Sequence, residues 1–162
     1  MNSENEFKSL TDTILFSLAL ITKSDNPKLI FLFTSGYVNH LVSNLLYFED
    51  EKLEKAVIIL TNLSQREEMV KYLGQISINL INFLEIPNKK FEIYLICLEA
   101  LYKFLHSPFS KGLVNYLNSI GCKDKLESFI MNIKNQLLVN KAIMIKDLMT
   151  DQTNLDIGNY TN

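Results

Sequence analysis

The sequence predicts an all-α fold, arranged as a right-handed α-solenoid of about three and a half stacked helical units in one continuous domain. Three observations predict it. Apolar residues recur at spacings of three and four almost everywhere, and period-two alternation is rare. Glycine and proline punctuate the chain in the same order three times. Comparable points in the longer helical stretches, Leu20, Asn62 and Lys103, lie 42 and 41 residues apart, a period found in helical repeats.

The first helix spans Glu6 to Lys23, with Phe7, Leu10, Ile14, Leu15, Leu18 and Ile21 at helical spacing. Ser3 and Glu6 form a capping-box pattern before it. Asp25-Asn26-Pro27 resets the chain, because proline suits a first helical turn and not a helix interior. A short helix from Pro27 to Thr34 stops at Gly36, which fits a left-handed cap. A second short helix carries Val38, Leu41, Val42, Leu45 and Leu46 on one face. Glu49-Asp50-Glu51 then opens a longer helix through Leu53, Ala56, Val57, Leu60 and Leu63, its acids complementing the helix dipole.

The same order returns. Arg66 to Leu73 reads as a short helix ending at Gly74, and Ile76 to Leu84 as another. Pro87-Asn88 breaks the chain before a longer helix from Phe91 to Leu105. Ser107-Pro108 starts a third round, with Leu113, Tyr116, Leu117 and Ile120 before Gly121. Lys125 to Ile133 and Leu137 to Met149 complete it. The solenoid thus occupies residues 1–149, and the polar, aperiodic stretch 150–162 reads as a flexible tail. Phe7, Leu10 and Ile14 begin a third helix without its first two partners. An exposed apolar N-terminal edge is expected from this, and with it self-association or a missing upstream portion.

Composition narrows the function. Of 162 residues, 48% are apolar and 21% charged, which suffices for a packed core. Eighteen acidic against 16 basic residues leave a net charge of −2, with no whole-protein attraction to nucleic acid or an anionic membrane. Arg66 is the sole arginine, so phosphate or base reading by guanidinium forks has no equipment. Two cysteines and two histidines, all far apart, match no metal-ligand spacing and no disulfide framework. No phosphate-loop, dinucleotide or nucleophile-elbow pattern occurs, so neither catalysis nor a cofactor is expected. The N-terminus lacks a basic region and a cleavage site of the secretory kind, and no apolar run reaches the roughly 18 residues of a membrane span.

Four segments carry more than generic helical repeats. "FTSGYVNHLVSNLL" (Phe33 to Leu46) resembles the glycine turn and second helix of an armadillo repeat, and "KLEKAVIILTNLSQ" (Lys52 to Gln65) resembles the third. "EEMVKYL" followed by "LINFLEIPNKKFEIYLICLEALYKFL" (Glu67 to Leu105) is similar to the late repeats of the importin-α family. "LVNYLNSIGCKDKLESFIMNIKNQLLVNKAIMIKDLM" (Leu113 to Met149) resembles the closing importin-α repeat, with Gly121 to Glu127 at its characteristic turn. The resemblance covers about residues 10 to 149, in the order of that family's C-terminal third.

The resemblance implies a protein-binding adaptor in nuclear protein import, active in cytoplasm and nucleus. Its implied partners are lysine-rich nuclear localisation signals, the export receptor with Ran-GTP, and nucleoporins. In that family a groove lined by third helices holds the signal peptide. Trp at position i and Asn at i+4 share a face there. The Asn amide bonds the peptide backbone, and the ring faces take lysine stems. Carried onto this chain, the groove positions are Phe16, Ile58, Asn62 and Glu99. Ile58 stands where the family has Trp, with Asn62 retained; Phe16 and Leu20 are the corresponding earlier pair. The resemblance is strongest at the exporter-facing end, where it assigns Asp124, Lys125 and Glu127 to partner contact. The alternative is a generic armadillo or HEAT-like interaction scaffold or chaperone cofactor.

Other chemistry-bearing residues have plainer readings. Glu49, Asp50, Glu51 and Glu54 form a solvated cluster at a helix start. Glu92 and Glu99, seven apart, have no reacting group beside them. His40 and His106 are structural. Cys97 sits on an apolar helix face as a small hydrophobe. Cys122 beside Gly121 is expected to be accessible, with Lys123 and Lys125 lowering its pKa.

Overall fold

Residues that cannot continue a helix, or that accept a left-handed backbone, decide where this chain turns. The computed structural model describes residues 3–157 apart from 25, 109 and 111, with side chains from 11 to 150. Among them are nine α-helices and no strand. The helices are α1 (Ser3–Ile21), α2 (Ile30–Thr34), α3 (Tyr37–Asn44), α4 (Asp50–Leu63), α5 (Val70–Leu84), α6 (Phe91–Leu105), α7 (Leu113–Ser119), α8 (Cys122–Asn132) and α9 (Gln136–Ile157). Single 3-10 turns at Pro27–Leu29, Leu45–Tyr47 and Glu67–Met69 lie between them. At the first of these the Asn26 side chain accepts a hydrogen bond from the Lys28 N–H at 2.9 Å, with Pro27 next in line where its missing N–H costs nothing. Gly36 and Gly121 stand at φ 78° and 76°, where any β-carbon would be strained, and turn α2 into α3 and α7 into α8.

The helical positions follow the sequence reading with three differences. Gly74 was expected to end a helix, yet α5 runs through it from Val70 to Leu84. Glycine lowers helix propensity but stops a helix only where the apolar stripe also stops. Here Leu73, Ile76, Leu80 and Leu84 carry the stripe on, all buried. The bare position also admits a neighbour: a β-carbon on Gly74 would lie 3.1 Å from Cε1 of Tyr116 in α7. The second difference is α8, which begins at Cys122 rather than Lys125. The third is α9, which continues past Thr150 to Ile157. No glycine or proline interrupts it before Gly158. The rest of the expected tail, 158–162, lies outside the described residues, as do the side chains of the Ser3–Glu6 capping pair and of Phe7 and Leu10.

The helices pack in two rows. In the first, α1 lies on α4, α4 on α6, and α6 on α9. In the second, α3 lies on α5 and α5 on α8. Contacts of α5 with α6 and of α8 with α9 join the rows, and α7 bridges α5 and α9. One continuous core runs between them, from Leu32 and Leu41 through Leu60 and Phe83 to Phe104, Leu126 and Ile145. Burial of these side chains is the main stabilising contribution, at roughly 1.5–3 kcal/mol for each large one.

Polar contacts between successive helices of the rows span 37 to 43 residues, Asn79 to the Val42 carbonyl being the shortest of them. Asn62 Nδ2 donates to the Ala19 carbonyl 43 residues away, and Ser107 Oγ to the Ser64 carbonyl, also 43 away. The Arg66 guanidinium donates to the Asn26 carbonyl over 40 residues, and Lys125 Nζ to Asn82 Oδ1 over 43. Thr22, Ser64 and Ser107 are buried hydroxyls just past the ends of α1, α4 and α6. The last carbonyls of a helix have no partner inside it. For α1 and α4, a side chain near the end of the next helix in the row satisfies one of them.

Candidate peptide-binding face

Phe16, Ile58 and Glu99 project from α1, α4 and α6, three successive helices of the first row. Leu15 and Ala19 turn one side of α1 into the core, which leaves the Phe16 ring 57% exposed. Ile58 is half-buried and packs against the core beside Val57 and Ile59. Glu99 is exposed on α6, and its Oε1 lies 3.1 Å from Nζ of Lys141 in α9. Such a half-exposed pair contributes little to stability. A cationic peptide side chain reaching Glu99 would have to displace the Lys141 ammonium.

Asn62 departs from the expected role. Its amide nitrogen donates to the Ala19 carbonyl and to Thr22 Oγ1, both at 3.2 Å. The amide N–H groups that would hold an extended peptide are thus spent on the end of α1. The hydroxyl of Thr22 in turn donates to the Leu18 carbonyl at 2.8 Å, so the cluster is paired within the chain. Asn62→Ala is therefore expected to lower unfolding free energy by about 1–2 kcal/mol, the cost of two hydrogen bonds, the Ala19 carbonyl keeping the Thr22 hydroxyl as a donor at 3.3 Å. Urea denaturation with and without a lysine-rich peptide checks this: an unchanged midpoint with lost peptide binding would restore the groove reading.

A small cleft between α6 and α9 is lined by Leu98, Tyr102, Lys141, Met144 and Ile145. Tyr102 stacks on His106, ring centroids 4.2 Å apart. The sequence reading passed over Tyr102, whose place three residues after Glu99 puts it on the same exposed helix face. It supplies an aromatic surface to the row that Ile58 does not.

At the C-terminal end, Lys125 and Glu127 are engaged within the chain. Lys125 Nζ bonds Asn82 Oδ1 at 2.7 Å and Glu85 Oε2 at 2.8 Å, tying α8 to α5. Glu127 pairs with Lys146 of α9 at 3.5 Å. Asp124 is exposed. Cys122, expected to be accessible, is buried. Burial raises its pKa, Lys125 draws it down, and Glu85 raises it again, the net direction being upward. Asp50 of the acidic cluster pairs with Lys89 at 2.8 Å.

A separate cleft of about 390 Å³ lies between α5 and α7, lined by Val70, Lys71, Leu73, Gly74, Gln75, Leu113 and Tyr116. Among the described residues no three His, Cys, Asp or Glu side chains are placed to hold a metal ion. No single helix among them is long and apolar enough to cross a membrane. The bent pair Pro27–Thr34 and Tyr37–Tyr47 meets that test jointly, with Leu29, Leu32, Val38, Leu41, Val42 and Leu45 buried in the core. No family model matches the chain, and no curated protein matches it.

Proposed function

We propose that this chain is a protein-binding adaptor built as a short armadillo-type solenoid, with the outward side of α1, α4, α6 and α9 as its partner face. The observation that carries the reading is the row itself: each helix packs on the one about 42 residues before it, through side-chain bonds that keep that separation. Stacked units of this kind present an extended surface for another polypeptide. Phe16, Ile58, Glu99 and Tyr102 provide its apolar, anionic and aromatic contacts.

The sharper form of the proposal is an importin-α-like adaptor in nuclear protein import, working between cytoplasm and nucleus. The sequence resemblance over Gly121 to Met149 supports contact with the export receptor, with Asp124 the free acid of that turn. Signal-peptide binding through Asn62 has less support, because its amide donors are used on α1. That second point favours the generic scaffold as the runner-up. The test is retention on the immobilised full chain of the export receptor, with and without Ran-GTP, and of a lysine-rich signal peptide. Retention that depends on Ran-GTP, lost in Asp124→Lys, is the expected result. No retention of either ligand overturns the import reading and leaves the scaffold.

A further inference from the structure

We draw no further inference here: the strongest candidate, the cleft of about 390 Å³ between α5 and α7, has the one charge on its lining, the Lys71 ammonium, 5.0 Å over the Tyr72 ring, and nothing in the structure shows what fills it.

Discussion

Phe104→Ala is expected to lower the stability of the fold by about 3–5 kcal/mol, the range for removing a large side chain from a filled core. Phe104 is fully buried, and its helix packs on α4, α5 and α9 at once. Held from three directions, α6 cannot move in to fill the space left by the ring, which places the loss toward the upper end. A domain of this size is stable by roughly 5–15 kcal/mol in total, so the variant gives up a third or more of that. Phe16→Ala is the control: its ring is more than half exposed, and the expected loss is below about 1 kcal/mol. Urea unfolding followed by helical circular dichroism measures both. Equal losses in the two variants would show that α6 is not the central packing element.

The second large effect concerns the thiols. Burial pushes Cys97 from the ordinary 9.0 up to about 12. Only the thiolate reacts, so at pH 8 the native Cys97 is expected to react with a disulfide reagent about a thousandfold more slowly than in the unfolded chain, before its inaccessibility is counted. The same shift makes stability depend on pH. The folded thiol keeps its proton above pH 9 while the unfolded one gives it up, so alkali favours the unfolded chain. The contribution of Cys97 is therefore complete below pH 9 and is lost as pH rises from 9 toward 12, by roughly 1 kcal/mol per pH unit. Burial raises Cys122 and Tyr37 as well, which adds to the decline. Thermal midpoints between pH 7 and 11 are expected to be flat and then fall, the fall shallower in Cys97→Ala. A decline beginning near pH 7 would contradict the assigned cause.

Helices and their order were legible because the signals that set them are local. Pro27, Gly36, the Glu49–Glu51 acids, Pro87 and Gly121 each act within a turn of their own position. Gly74 was misread because the buried stripe of Leu73, Ile76, Leu80 and Leu84 carries α5 through it, and the closeness of the Tyr116 ring to its bare position is a contact from elsewhere in the chain. The extent of α9 past Thr150 was not legible, because a polar composition does not end a helix until a breaker arrives. The site was less legible than the fold. Spacing put Phe16, Ile58 and Glu99 at equivalent places on neighbouring helices, but whether a polar side chain faces outward depends on what lies about 40 residues away. Asn62, Lys125 and Glu127 all find their partners at such distances or on the next helix, and a single sequence does not show them as engaged.

The ties from Asn62 back to Ala19 and from Ser107 back to Ser64 also govern how this chain can change its length. Each spans one whole unit. Removing a few residues between two such anchors would slide donor past acceptor and unfasten every later unit from the one before. Removing about 42 residues at once would instead keep each remaining helix of the first row in register with the one it packs on.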